Sequence, residues 1–378
     1  MSDASEAAAL PELPEPDRLE GFAHPRMAPD LVGNAIAEQA LLRAYTSGRL
    51  HHAWLLSGPE GVGKATLAYR FARFLLTRSG DGGDAEADSL VLPPENRVSA
   101  LVGALAHPNL LVLRRSWLAE KKRLATAITV GEVRRLRRFF GHTAGAGRWR
   151  VVIIDRAEEM NVAAANALLK NLEEPPANCV FLLVCCAPGR LPVTIRSRCR
   201  TLKLTPLDAE ELETAVLAAF RAAGREPPES ELVRACVPLA QGSVGRALRL
   251  LESGGSELYD RLIRLIARLP ELDHEGVHAL ADELSSPRAD EAYQLFFELA
   301  GDTLVRIVGH ATTGQGALGA EAELAGRLKD ASALAQWASL WETIQRAKAE
   351  ADALNLDRKN LVLATFFRLE EAAREALC

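Results

Sequence analysis

None of the six cysteines (Cys179, Cys185, Cys186, Cys199, Cys236 and Cys378) forms a C-x-x-C pair, so neither a zinc ribbon nor a dithiol redox motif is indicated. No apolar run approaches the roughly 20 residues that a membrane span needs. The first 20 residues are acidic and Pro-rich, without the apolar core of an export signal. The expected location is therefore cytoplasmic, with no membrane partner. Positive charge is not in excess either: the formal net charge of −5 gives no global sign of nucleic-acid binding. That charge is uneven, however. Residues 1–20 carry six acids and one base, whereas residues 114–156 carry twelve Arg or Lys against three acids. A local basic surface can thus exist on an acidic protein. The apolar fraction of 48% is too high for a disordered chain, and 378 residues are too many for one ordinary core, so two or three domains are expected.

What is present begins with residues 53–66. A short apolar run, Ala53 to Leu56, reaches Gly58; a glycine-rich turn through Gly61 and Gly63 ends at Lys64, and a helical pattern follows. This is the spacing of a phosphate-binding loop. Its glycines let successive backbone N–H groups turn toward phosphate oxygens, and the helix N-terminus adds a positive field. The lysine would reach the terminal phosphates. The next position should carry a Ser or Thr hydroxyl for Mg²⁺, yet Ala65 stands there. Thr66 is one residue on, roughly 100° around the helix, and substitutes poorly.

Along the chain, residues 1–20 are expected to be a disordered acidic lead. A helix is predicted from Ala35 to Ser47 with Ile36, Ala40, Leu41 and Tyr45 at helical spacing. The helix after the phosphate loop has Leu67, Phe71, Phe74 and Leu75 on its inner face. Residues 79–95, Gly-rich with five acids and no base, are a surface insertion. Residues 110–113 are a short buried strand. Thr129 to Glu132 has the pattern of a capping box opening a helix that carries Arg134, Arg135, Arg137 and Arg138. Two readings of those arginines stand: a solvated face, or a face for nucleic-acid phosphates, which arginine binds without base specificity. Val151 to Asp155 is a central parallel strand with a carboxylate at its C-terminal edge, the Walker B pattern, and Asp155 would hold Mg²⁺ through water. Asn161 caps a helix filled by Leu168, Leu169 and Leu172, and Val180–Cys186 is the next strand. Leu202–Leu204 completes the sheet. Strands alternating with helices imply a parallel α/β sheet. Beyond Asp208 the pattern is helical, and Leu295, Phe296, Leu299, Leu304, Trp337, Trp341, Leu361, Phe366 and Leu369 are core candidates of a bundle.

Several segments carry a resemblance to a known family: Gly48–Trp54, the loop from Gly58 to Lys64, Asn166–Lys170 with Leu172–Pro176, Leu191–Cys199 containing Ser197-Arg198-Cys199, and Asn355–Lys359. Together they resemble the clamp-loader subunits of bacterial DNA polymerase III, most closely the delta-prime branch. The resemblance implies an AAA+ α/β domain over 21–205, a helical lid over 206–268 and an all-α collar for oligomerisation over 269–378. It implies as partners the motor and delta subunits, the sliding clamp and, through the complex, primer–template DNA.

Motor subunits of this family carry Thr where this chain has Ala65, and a water-polarising Glu where it has Arg156. Their first sensor is a polar residue in the stretch Val184-Cys185-Cys186, and their second is an arginine aligned with Gly245, beside Arg246. The resemblance thus implies a degenerate nucleotide site at Gly58, Gly61, Gly63, Lys64, Thr66 and Asp155. ATP or ADP would be gripped there without being cut, or the loop would be a relic. In the family, the arginine at Arg198 is presented in trans to ATP on a neighbouring subunit. Some members carry a four-cysteine zinc module; residues 77–110 contain no cysteine, so no zinc is expected. The leading expectation is a non-hydrolysing clamp-loader subunit. The alternatives are an active ATPase motor subunit using Lys64, Thr66 and Asp155, and a free-standing nucleic-acid-binding protein.

Overall fold

The computed structural model describes residues 15–16, 18–28, 30–78, 87–93, 96–141, 149–286, 288–328, 331–354 and 356–377. The expected acidic lead and the 79–95 insertion fall largely outside the described residues. The chain divides into two compact units, residues 1–229 with 240–247, and residues 230–239 with 248–378.

The first unit runs α1 (Ala35–Thr46), β1 (Ala53–Ser57), α2 (Lys64–Thr77), α3 (Arg97–Gly103), β2 (Leu110–Leu113), a hairpin of β3 (Trp117–Leu118) and β4 (Arg123–Leu124), α4 (Val130–Gly141), β5 (Arg150–Ile154), α5 (Val162–Glu173), β6 (Cys179–Cys185), α6 (Val193–Arg196), β7 (Arg200–Lys203) and α7 (Ala209–Ala222). Five strands form one parallel sheet in the order β2-β5-β6-β1-β7. β1 and β6 are buried at every position because helices cover both faces of the sheet, which is why they lack a polar alternation. Side chains still alternate between faces. Trp54, Leu56, Ile153 and Leu182 pack with α1 and α2, whereas Leu55, Val152, Ile154 and Phe181 pack with α4 and α5.

Helix ends show where local patterning held. Asn161 caps α5 by accepting from the Ala164 N–H at 2.8 Å. At α4 the Glu132 carboxylate faces Arg135 at 2.7 Å. A complete capping box forms at α7, between Asp208 and Glu211. Within α1, Leu41 is fully buried but Ile36 is 87% exposed, so the inner stripe runs through Ala37, Leu41 and Ala44. Spacing alone could not decide between Ile36 and Ala37, which are adjacent on the helix.

His24 lies 2% exposed beneath Tyr69. Its Nδ1 accepts from the Arg26 N–H at 3.0 Å. Burial, then the neighbouring Arg26 charge, push its pKa down from 6.5 to about 3. The folded value lies below the unfolded one. The ring's contribution to stability is therefore complete above about pH 6.5 and is lost progressively as pH falls toward 3. His24→Asn keeps an acceptor for the Arg26 N–H and removes the titration. Thermal melts across pH 3–7 should show a shallower acid limb in this variant, and an unchanged limb would refute the assignment.

α8 (Ser230–Ala240) and α9 (Val244–Glu252) have residues in both units. α7 (Ala209–Ala222) lies in the first unit and α10 in the second. The second unit holds α10 (Gly255–Ile266), α11 (His274–Leu284), α12 (Asp290–Thr313), α13 (Ala320–Arg327), α14 (Ala331–Leu354) and α15 (Arg358–Leu377). Phe296, Trp337 and Phe366 are fully buried in it. At Gly301 a Cβ would lie 2.0 Å from the Trp341 ring, so α12 and α14 approach closely only because that residue is glycine. No described helix is long and apolar enough to cross a membrane.

Candidate functional site

β1 delivers the chain to the C-terminal edge of the sheet, where Gly58 to Gly63 turn and α2 begins at Lys64. Parallel α/β sheets place their ligand crevices at this edge. Gly61 has φ +76°, and a Cβ there would meet the Ser243 hydroxyl at 2.1 Å. The Gly61 carbonyl accepts from the Val244 N–H at 3.0 Å, so the first turn of α9 rests on the loop. Gly245, the position aligned with the second sensor, faces Gly61; Arg246 is one residue further on and bonds through its backbone N–H to Ser243.

Lys64 is 4% exposed, and its ammonium donates to the Pro59 carbonyl within the loop. Ala65 and Thr66 follow, both half-buried. Cys186, in the first-sensor stretch, lies beside Lys64. Burial pushes its thiol pKa up while Lys64 opposes the shift.

Asp155 is 3% exposed at the end of β5, and its Oδ2 has no hydrogen-bond partner among the described residues. The sheet thus brings Lys64 and Asp155 to one edge, because β1 and β5 both pair with β6 in parallel register. Arg156 follows in the left-handed region at φ +50°. A non-glycine residue there costs on the order of 1 kcal/mol and persists only when its side chain is held. Its guanidinium pairs with Glu60 of the phosphate loop and reaches Glu159 at 3.5 Å. Glu159 in turn holds Arg115 at 2.7 Å.

The residues present do not fit a resident divalent ion. Ala65 has no hydroxyl, Asp155 offers one orphan oxygen, and a guanidinium lies on the loop nearby. Among the described residues no group of three or more His, Cys, Asp and Glu side chains could hold a metal.

Two predicted features stand apart from this cleft. Arg198 follows α6, with Nη1 donating to the Thr194 carbonyl at 2.8 Å and Nη2 paired with Glu173 at 2.7 Å. The side chain remains 34% exposed. On α4, Arg134, Arg135, Arg137 and Arg138 are all exposed. Arg135 pairs with Glu132, while the other three have no ion-pair partner among the described residues. Sequence reasoning missed Glu158, whose carboxylate accepts from the Cys186 N–H at 2.8 Å. It also missed Glu60 as the partner of Arg156; the opposite charges at 60 and 156 were visible, but not their proximity.

A parallel five-stranded sheet with a phosphate loop at its C-terminal edge, followed by helical elements, defines a mixed α/β fold. The family described as "DNA polymerase III, delta subunit" matches residues 33–208. The delta-prime subunit of Pseudomonas aeruginosa is 36% identical over 233 residues, covering 61% of this chain and 66% of that protein. The delta-prime subunit of Escherichia coli is 32% identical over 230 residues, covering 61% and 63%. The tau subunit of Escherichia coli is 28% identical over 298 residues, covering 73% and 43%. The matches thus span less than two thirds of the length of these relatives. Among solved structures, a gamma-subunit-related protein from Thermotoga maritima superposes with a TM-score of 0.39 at 17% identity, covering 89% of this chain and 100% of that one. The chain resembles the delta-prime and related clamp-loader subunits of bacterial DNA polymerase III.

Proposed function

We propose that this chain is a non-hydrolysing clamp-loader subunit. It assembles with the motor and delta subunits of a DNA polymerase III complex. There it offers Arg198 to ATP on a neighbouring subunit and helps load the sliding clamp onto primed DNA. The observation that carries this reading is Arg156 lying on Glu60. Phosphoryl transfer to water needs a polarising group and charge neutralisation in register. In this cleft a cation occupies the polarising position and is engaged by the loop itself, while Ala65 supplies no metal ligand. The cleft can hold a nucleotide on Lys64 without cutting it.

Arg198 supports the second half of the reading. A half-exposed ion pair such as Arg198–Glu173 is worth about 0–1 kcal/mol, small against the charge-assisted bonds a guanidinium makes to phosphate. The local pair therefore holds the side chain in place without preventing its transfer to a phosphate.

ATP turnover by the purified chain tests the proposal. Wild type and Lys64→Ala should both stay at background. The assembled complex should turn over ATP equally well with either. Turnover by the isolated chain that Lys64→Ala abolishes would overturn the reading in favour of an active motor subunit.

A further inference from the structure

The β3–β4 hairpin stands outside the main sheet. It leaves the end of β2, which runs parallel to the strand before the phosphate loop, so it emerges at the same edge. Its base is fixed on both sides. The Ala125 N–H donates to the Ser116 carbonyl at 2.8 Å, Arg115 is held by Glu159 at 2.7 Å, and Arg114 by Glu15 at 2.6 Å. Its tip presents Lys121, Lys122 and Arg123, all exposed and none with an ion-pair or hydrogen-bond partner for its side chain among the described residues. Lys122 sits at φ +45°, which turns the chain sharply at the tip.

The allocation of acids makes this hairpin more than a solvated charge run. The two carboxylates that hold its base are each shared with a second arginine: Glu15 with Arg26 and Arg114, and Glu159 with Arg115 and Arg156. The outward cations are left uncompensated. The same holds for Arg134, Arg137 and Arg138 on the next element, which share one face of α4 and extend over roughly 6 Å of its axis. Between residues 119 and 141, seven cations meet only Glu120 and Glu132, on a chain whose net charge is −5.

A small anion is recognised by a concave site with buried donors. Exposed lysines and arginines on a projecting hairpin suit a polyanion that runs past them, and such contacts grip a sugar–phosphate backbone without reading bases. We infer that the tip of this hairpin, Lys121, Lys122 and Arg123, is a second nucleic-acid contact. It binds the phosphate backbone of a duplex alongside the arginine face of α4. This rests on the clamp-loader reading only for the choice of primer–template DNA as the physiological duplex.

The test uses the full chain, alone and in the assembled complex, with a fluorescent primer–template duplex titrated across a range of salt concentrations. The variant combines Lys121→Gln, Lys122→Asn and Arg123→Gln; asparagine tolerates the left-handed tip. Losing three phosphate contacts should flatten the log–log salt slope by roughly 2 to 3 and weaken binding on the order of 10-fold at moderate salt, alike for unrelated sequences. Arg134→Ala with Arg138→Ala should flatten the slope by roughly 2. An unchanged slope and affinity in the hairpin variant would overturn the inference. So would a variant that binds DNA normally but loses an acidic protein partner. If the chain does not enter a clamp-loader complex, that reading fails. The inference is then still decided by the isolated chain on a duplex of arbitrary sequence.

Discussion

Replacing Arg198 by Ala is expected to abolish catalysis at the one neighbouring nucleotide site this chain would serve, by on the order of 10³-fold or more. The complex should lose that site's whole share of DNA-stimulated ATP turnover, while assembly is unaffected. The size follows from the chemistry. Charge builds on the transferring phosphoryl group, and a guanidinium placed against it acts only in the transition state, so the loss falls on kcat. A thousandfold loss corresponds to about 4 kcal/mol, far more than the half-exposed bond to Glu173 is worth. Arg198→Lys should recover little, because an ammonium cannot reproduce the planar fork. Turnover and assembly measured side by side on reconstituted complexes decide the matter. An unchanged rate in a properly assembled complex would remove Arg198 from the mechanism and leave it as the partner of Glu173.

In the helical unit the largest effect is expected at Glu321, which is 1% exposed. Its carboxylate accepts from Arg306 Nη2 at 2.6 Å and from Arg306 Nε at 2.9 Å. It also accepts from the Tyr259 hydroxyl at 2.8 Å and the Leu318 N–H at 3.0 Å. One side chain thus ties α10, α12 and the start of α13. Burial, with Glu321 next, pushes the Tyr259 hydroxyl pKa up, which keeps it a neutral donor at every working pH. Glu321→Ala leaves the Arg306 guanidinium buried without its counter-charge, and such a loss costs roughly 3–5 kcal/mol. Urea unfolding should show the midpoint of the helical unit falling accordingly. The pair Arg306→Met with Glu321→Leu should recover most of the loss, since apolar replacement of a buried ion pair is often neutral. A single-variant cost under about 1 kcal/mol would show that water reaches the site.

These two predictions differ in how visible they were. Arg198 stands in a short segment whose pattern is specific, and the sequence already marks it. Glu321 lies in an alanine- and glutamate-rich stretch with nothing local to distinguish it from Glu323, which is exposed on the same helix. Only the fold of α12 against α13 makes one of these carboxylates a buried acceptor and leaves the other in water. The hairpin was missed for a related reason. Strands of two residues each carry no periodicity, and Trp117, Leu118 and Leu124 are too few to signal a buried face. Ile36 and Ala37 both fit the helical spacing of α1, and its packing against α2 selects the smaller Ala37.

Order along the chain, the alternation of strand and helix, the phosphate loop and the two departures at Ala65 and Arg156 were all set by sequence, because each depends on neighbours within a few residues. What Arg156 does instead of polarising water was decided only in three dimensions. Glu60 lies nearly a hundred positions earlier, and parallel pairing of β1 and β5 through β6 is what brings the two charges together. The same holds for the uncompensated cations of the hairpin: a charge is free or spent according to which carboxylates the fold carries within a few ångströms of it, a distance that is not written in the order of residues.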